Sequence, residues 1–239
     1  MKIVRNLQRL AWFGLITAQL LTLNVASAQP STTANAEAMA EKLLAAVGGR
    51  SAWAALKNTV NDSQQYRAAE PVEVRAVITM DFTQPRFRID TTGPGLKLSR
   101  VIDGEKNWRL TRDGKVGDVP AEVIADDMRW HAGHVYRTIH RVAKRDPLIT
   151  LAVGATERLE ILESGKRIAW FKLNAAGEPY AFGAHDDNVG SLSGPWKFER
   201  DGVRHPVWVS NADGSWRASI NALQTNVVLT PSLFARPSP

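Results

Sequence analysis

The fold class is decided by the stretch 72–82, which reads Val72-Glu73-Val74-Arg75-Ala76-Val77-Ile78-Thr79-Met80-Asp81-Phe82. All of its even positions are apolar, and all of its odd positions except Val77 are polar. Successive side chains of a β-strand point to opposite faces, so a period of two predicts a strand with one buried and one wetter face. The stretch therefore indicates an antiparallel sheet with a core on one side.

The same alternation recurs along the chain and predicts further strands joined by short turns. In 86–90 the residues Phe87 and Ile89 point inward, and in 96–102 an apolar inward row is interrupted by Arg100. Later stretches with the same pattern bring the predicted total to about nine to eleven strands. Hairpin turns are marked by Asp-Gly pairs at 103–104, 201–202 and 213–214.

Patterns typical of helices occur before the first strand and between later strands. Residues 36–47 are Ala-rich with apolar side chains spaced four apart, and Gly48-Gly49 is a suitable C-terminal cap. A short second helix is predicted over 51–56, and the segment 120–145 is predicted to be a helical insertion, with Gly133 dividing it. Helices on one face of an antiparallel sheet define an α+β fold. A sheet of this length usually curls or closes, which leaves either a packed core or an apolar pocket.

The inward positions of the predicted strands supply the candidate ligand-binding residues. An apolar pocket would be lined by them, and ordinary core packing is the other interpretation of the same pattern. Large aromatic residues are among the candidates because Trp often lies at half-buried, ligand-lined surfaces. The candidates are Val74, Ile78, Met80, Phe87, Ile89, Leu98, Trp108, Leu110, Trp170 and Trp216.

The N-terminus has the order of a cleavable secretory signal peptide over residues 1–28. Three basic residues come first, an apolar stretch follows, and Ala26-Ser27-Ala28 offers small residues at the cleavage site. Residues 29–35 are predicted to be a polar linker, and 36–239 a single domain. The predicted localisation is the periplasm, with a soluble protein after cleavage.

Charge and cysteine content exclude several classes of function. Removal of residues 1–28 takes away three basic and no acidic residues, so the net charge falls from +6 to +3. That small surplus does not indicate a nucleic-acid partner. The chain has no cysteine, which excludes disulfides, thiol catalysis, thiolate metal sites and N-terminal lipidation. We expect no cofactor.

Four stretches of the chain carry a family resemblance. Together they resemble exported proteins of the LolA-like outer-membrane lipoprotein-sorting (lipoprotein carrier) superfamily, and the likeness covers about residues 36–237. They are Leu44-Ala45-Ala46-Val47-Gly48-Gly49-Arg50-Ser51-Ala52-Trp53, Val101-Ile102-Asp103-Gly104-Glu105-Lys106-Asn107-Trp108, Phe198-Glu199-Arg200-Asp201-Gly202-Val203-Arg204-His205-Pro206 and Leu233-Phe234-Ala235-Arg236-Pro237.

The resemblance implies a strongly curved, unclosed β-barrel whose concave face is covered by helices, with an apolar cavity for acyl chains. On that basis the protein is expected to be a non-catalytic carrier or binder of lipids or lipoprotein acyl chains, acting in outer-membrane biogenesis. No binding residue of the family is carried over, because no position here matches its polar cavity residue. The insertion at 120–145 departs from the basic pattern.

Two other functions are consistent with the residues. Asp127, His131 and His134 stand at positions i, i+4 and i+7, so one continuous helix would place them together as ligands for a metal-dependent hydrolase. A solvated helix face is the simpler interpretation of the three. The third hypothesis is a sheet-mediated interaction or sensor domain whose interior is filled by its own side chains.

The basic end of the insertion offers a contact with membranes. Arg137, Arg141, Lys144 and Arg145 follow the acidic start of the segment. Bases at a helix C-terminus complement the helix dipole, and they would also attract the headgroups of anionic lipids. Transient contact with an anionic membrane surface is therefore an additional expectation.

Overall fold

The computed structural model describes residues 32–185, 190–198 and 200–238. The predicted signal peptide, 1–28, lies outside the described residues. Within the described ranges the helices are α1 (Thr32–Ala46), α2 (Arg50–Ala54), α3 (Ala121–Gly133) and α4 (Val135–Ala143). The strands are β1 (Asn58–Arg67), β2 (Glu70–Asp81), β3 (Arg86–Gly93), β4 (Leu96–Asp103), β5 (Trp108–Leu110), β6 (Val116–Gly117), β7 (Ile149–Gly154), β8 (Arg158–Glu163), β9 (Lys166–Leu173), β10 (Pro179–Ala184), β11 (Gly190–Ser193), β12 (Trp196–Phe198), β13 (Arg204–Pro206), β14 (Trp208–Asn211) and β15 (Trp216–Thr225).

Thirteen of these strands form one antiparallel sheet, which confirms the predicted α+β class. Their order is β6-β5-β4-β3-β2-β1-β15-β14-β11-β10-β9-β8-β7, and β12 pairs only with β13. The edge strands β6 and β7 are not hydrogen-bonded to each other, so the curved sheet does not close into a barrel. The number of strands exceeds the nine to eleven predicted, because several are only two to four residues long.

The alternation in 72–82 forms the predicted strand, β2, and its register with β3 is regular. Ile78 pairs with Ile89 and Met80 with Phe87, so the apolar rows of the two strands lie on the same face. Strand β1 was not predicted, because its positions on that face are polar. These positions are Thr59, Asn61, Ser63 and Gln65, all buried and paired with the apolar row of β2.

Helices α1, α2 and α4 cover one half of the sheet. Their apolar side chains form one core cluster with strands β8 and β9, in which Leu43, Trp53, Ile139 and Leu159 are completely buried. Helix α1 begins at Thr32, inside the stretch 29–35 predicted as linker. No helix in the described ranges is long and apolar enough to cross a membrane.

Helix α3 covers the other half and ends at Gly133, as the sequence predicted. A Cβ at this position would overlap the carbonyl oxygen of Ile168 and lie 2.7 Å from the Cβ of Ala184, so only glycine fits there. His134 then adopts extended backbone angles (φ −62°, ψ 133°), and α4 starts afresh. The insertion is therefore two helices that change direction at 133–134.

Two stretches that carry the family resemblance contact each other. Gly48 has φ 115°, and a Cβ there would overlap the carbonyl oxygen of Gly202. The backbone N–H of Arg204 donates to the carbonyl of Val47 at 2.8 Å. The turn after α1 is therefore held against the segment 200–206.

The basic end of α4 is only partly exposed. Arg141 is only 5% exposed, and it pairs with Asp146 at 2.6 Å and with Glu163 at 2.5 Å. Of the four basic residues in this segment, Lys144 and Arg145 are exposed. The predicted membrane contact therefore has fewer available charges than the sequence indicated.

Candidate ligand-binding cavity

A cavity of about 830 Å³ lies on the face of strands β1–β5 that α3 only partly covers. Its apolar wall comes from alternate residues of β2, β3 and β4, and α3 contributes Val123 and Trp130. Ligand pockets in proteins commonly span about 300–1,000 Å³, so the space is large enough for a small organic molecule. In this half of the sheet the side chains that the structure describes therefore leave space unfilled.

Six of the ten candidate residues come together on this cavity. Five of them share the inward face of the central strands or its rim, whereas Leu110 lies on the face of β5 that carries Trp108 and also packs against the cluster of Val101, Trp108 and Phe234. None of the six is completely buried. The six are Val74, Ile78, Ile89, Leu98, Leu110 and Trp216.

Met80 and Phe87 face the same side of the sheet but belong to its packed core. They are 1% and 0% exposed and pack with Ile102 and Val119 beneath the side chains of α3. Because α3 lies directly over this end of β2 and β3, no room remains for a ligand there. For these two residues ordinary core packing is the correct interpretation.

Trp108 lies on the opposite face of the sheet, so its assignment to the pocket was wrong. It pairs with Val101 in the register between β4 and β5, and not with an inward residue. Its ring packs with Val101 and Phe234, and its indole N–H donates to the carbonyl of Phe234 at 2.9 Å. The residue of β5 on the cavity face is Arg109, which pairs with Arg100.

Trp170 is also absent from the cavity wall. It is 5% exposed in β9, in the other half of the sheet, where the guanidinium carbon of Arg158 lies 5.4 Å from its ring centroid. Added Cβ atoms at Gly183 and Gly190 would approach its ring to 2.6 and 2.8 Å. The ring is therefore in close contact with the backbone of these glycines and has a packing role.

The charged part of the cavity wall contains a partly buried ion pair between α3 and β4. The Nε of Arg100, the residue that interrupts the inward row, lies 2.6 Å from a carboxylate oxygen of Asp127. Burial raises the pKa of the Asp127 carboxyl, and the positive charge of Arg100 opposes that rise. Arg67, Arg109 and Arg112 also line the cavity.

A second cavity of about 280 Å³ adjoins the first. The two share Gln65, Ile78, Trp130 and Trp216 as a common wall. Asn61, Ser63 and Gln65 of the polar row of β1 line the second cavity, and the buried side-chain oxygen of Asn61 has no hydrogen-bond partner in the part of the chain that the structure describes. Sequence reasoning missed this row, and its signal in the sequence is a run of polar residues between the predicted helix at 51–56 and the strand-forming stretch at 72–82.

The geometry does not support the metal-dependent hydrolase. Asp127 pairs with Arg100, the His131 ring stacks on Phe87 with centroids 5.1 Å apart, and His134 follows the end of α3. Burial lowers the pKa of His131 and of His134 to about 3. In the ranges that the structure describes, no three His, Cys, Asp or Glu side chains are grouped so that they could hold a metal ion.

The fold and the cavity together define an α+β protein whose open antiparallel sheet leaves a cleft with apolar and arginine-bearing walls. No protein-family model matches the chain, and neither does any curated protein. Among solved structures, the chain is similar to a domain from Vibrio parahaemolyticus assigned to outer-membrane lipoprotein sorting. The TM-score is 0.46 at 12% sequence identity, covering 83% of this chain and 95% of that one. It is also similar to a DUF1329 family protein from Desulfovibrio piger, with a TM-score of 0.44 at 8% identity, covering 86% of this chain and 98% of that one.

Proposed function

We propose that the protein is a non-catalytic carrier or binder of lipids or lipoprotein acyl chains, and that it acts in the periplasm. The observation that carries the proposal is the cavity of about 830 Å³ against the apolar rows of β2, β3 and β4. Five residues chosen as inward-facing from sequence alone line it, and Leu110 borders it from the face of β5 that carries Trp108. The signal-peptide pattern of residues 1–28 supports export.

Hydrophobic transfer alone accounts for binding in such a site. Enclosing one methylene group of an acyl chain contributes roughly 0.8 kcal/mol. About eight well-enclosed methylenes would then contribute about 6 kcal/mol before the costs of association. No bond of the ligand has to be broken, so the proposal requires no nucleophile, base or metal.

The partial cover over the cavity supports a carrier that releases its ligand. Val123 and Trp130 of α3 lie over the cavity, and their side chains are half-buried. A ligand held against a half-open sheet face can leave without unfolding of the strands. This arrangement favours reversible uptake of a hydrocarbon chain over its permanent enclosure.

The test combines native mass spectrometry with fatty-acid binding. Protein purified from the periplasm is examined for co-purifying lipid, and delipidated protein is titrated with a fluorescent long-chain fatty acid. Leu98→Trp places a bulky ring in the cavity, whereas Lys97→Trp places the same ring at the exposed neighbouring position on the other face of β4. We expect Leu98→Trp to weaken binding at least tenfold and Lys97→Trp to leave it unchanged.

The opposite results would remove the carrier proposal. They are the absence of both co-purified lipid and fatty-acid binding by the folded wild-type protein. Equal binding by the two tryptophan variants would instead show that the fatty acid binds outside this cavity. Circular dichroism of each variant shows whether the sheet is intact. An empty protein that binds no lipid would favour the interaction or sensor domain instead.

A further inference from the structure

We propose that the ligand is an anionic amphiphile, whose acyl chain lies on the apolar wall and whose carboxylate or phosphate group binds at Arg109. The inference rests on the proposed function, because it specifies the charge class of the lipid that the cavity accepts. It follows from a row of four paired residues that crosses four adjacent strands.

The charged end of this row is a pair of arginines. Arg109 of β5 lies directly opposite Arg100 of β4, so both side chains leave the same face of the sheet. Like charges in directly opposite positions destabilise a sheet unless anions neutralise them. Asp127 supplies one such anion and is in contact with Arg100.

Arg109 has no corresponding partner among the described residues. It is half-buried, and its guanidinium makes no ion pair or hydrogen bond with any residue that the structure describes. The cavity is lined by four arginines and two aspartates, and the second aspartate, Asp126, is already paired with Arg129. The wall therefore carries a surplus of positive charge. Arg109 is half-buried, and no carboxylate among the described residues neutralises its charge.

The row becomes apolar away from the arginines. Arg100 pairs with Ile89 of β3, and Ile89 pairs with Ile78 of β2. Adjacent strands lie about 4.8 Å apart, so the three steps from Arg109 to Ile78 span about 14 Å. A charged group at one end and an apolar surface along the rest match an amphiphile that has an anionic head and a hydrocarbon tail.

Guanidinium chemistry favours carboxylate and phosphate among the anions. Its planar fork of N–H donors forms two parallel hydrogen bonds with either group, which a simple ammonium does not. The acyl chain supplies most of the affinity, and the head determines the orientation. A free inorganic anion has no tail, so it is not expected to bind comparably.

The experiment compares a fluorescent long-chain fatty acid with the corresponding uncharged fatty alcohol, at a pH where the acid is ionised. For wild type we expect the acid to bind about tenfold more tightly than the alcohol, which corresponds to 1.4 kcal/mol. Arg109→Gln should bring this ratio close to one with little change for the alcohol. Asp127→Asn, which removes the carboxylate beside Arg100, should increase the ratio.

Lys97→Gln is the matched control, because it removes one positive charge from the outer face of β4 and should leave the ratio unchanged. Equal binding of acid and alcohol by wild type would overturn the anionic specificity while leaving the carrier function intact. Binding of neither probe would instead contradict the carrier function itself. Displacement of the fatty acid by equimolar inorganic phosphate would also overturn the inference, since it would indicate a site for small anions.

Discussion

Trp108 and Phe234 hold the C-terminal segment against the outer face of the sheet. The indole N–H of Trp108 donates to the carbonyl of Phe234 at 2.9 Å, and both side chains are 2% exposed. The guanidinium carbon of Arg86 lies 4.4 Å from the centroid of the Phe234 ring. The segment 229–234 therefore completes a small core on the side of the sheet opposite the cavity.

Phe234→Ala should destabilise the protein without affecting ligand binding. Truncation of a completely buried phenylalanine costs about 3–5 kcal/mol, because apolar contact is lost and a void remains. We expect urea unfolding to show a decrease of about 3 kcal/mol in the free energy of unfolding, while the folded variant binds fatty acid as wild type does. A large loss of affinity in the folded variant would contradict the assignment of this core to the outer face.

Trp216→Ala should change the preferred length of the acyl chain. Trp216 belongs to the wall between the two cavities, and its indole N–H is 3.3 Å from the side-chain oxygen of Gln65. Removing the ring joins about 280 Å³ to the larger cavity. Each additional enclosed methylene contributes about 0.8 kcal/mol, so longer chains should gain affinity relative to shorter ones.

The measurement for Trp216→Ala is competition by a series of fatty acids of increasing length. Lys97→Ala serves as a control that leaves both cavities unaltered, because its side chain is exposed on the other face of β4. An unchanged length preference in Trp216→Ala would show that the two cavities do not act together.

His131 should make the stability depend on pH. Burial first, and then the positive charges of Arg137, His134 and Arg141, lower its pKa in the folded protein to about 3. An unfolded histidine has a pKa near 6.5. Between that pH and about pH 3 the unfolded state therefore binds a proton that the folded state does not bind. The stabilising effect is complete above about pH 6.5 and is lost as the pH falls from there towards 3.

Between pH 7 and pH 5 we expect His131 alone to reduce the free energy of unfolding by about 2 kcal/mol. His131→Leu keeps an apolar side chain against Phe87 and should lose correspondingly less stability over this interval. Urea unfolding of both proteins at the two pH values measures the difference. Parallel losses in wild type and variant would show that another group is responsible.

Gly133→Ala should destabilise the junction of α3 and α4. The added methyl group would overlap the carbonyl oxygen of Ile168 and crowd Ala184, which requires movement of backbone. Overpacking of this kind typically costs 1–3 kcal/mol. We expect a decrease of about that size in thermal or urea unfolding, whereas Gly117→Ala, where an added Cβ has open space, should have a much smaller effect. Equal stability of the two variants would contradict the close approach at 133.

The elements that were predicted correctly depend on local patterns. The alternation in 72–82 and the helix-ending glycines at 48–49 and 133 are visible from neighbours in sequence, although Gly48 and Gly133 also meet distant backbone. Strand β1 has no such pattern because its inward side chains are polar. A polar inward row is stabilised only by partners from distant strands, and those partners cannot be identified locally.

Trp108 shows why the site was predicted only in part. Its face depends on the register between β4 and β5, which is set by the turn between them, and a shift of one residue reverses every side chain of a short strand. Met80 and Phe87 point in the predicted direction, yet α3 covers them. Direction is a property of the strand, whereas exposure depends on the element packed above it.

The sequence by itself determined the α+β class, the inward rows of the central strands and the apolar character of their surface. The alternation of apolar and polar residues and the positions of turn-forming residues are short-range properties, so they can be identified from the sequence itself. Only the tertiary structure decided that these rows border an open cavity, that Arg109 faces it beside Arg100, and that Asp127 neutralises just one of the two. Those outcomes depend on strand register and on where α3 packs, because an empty space is bounded by residues far apart in the chain.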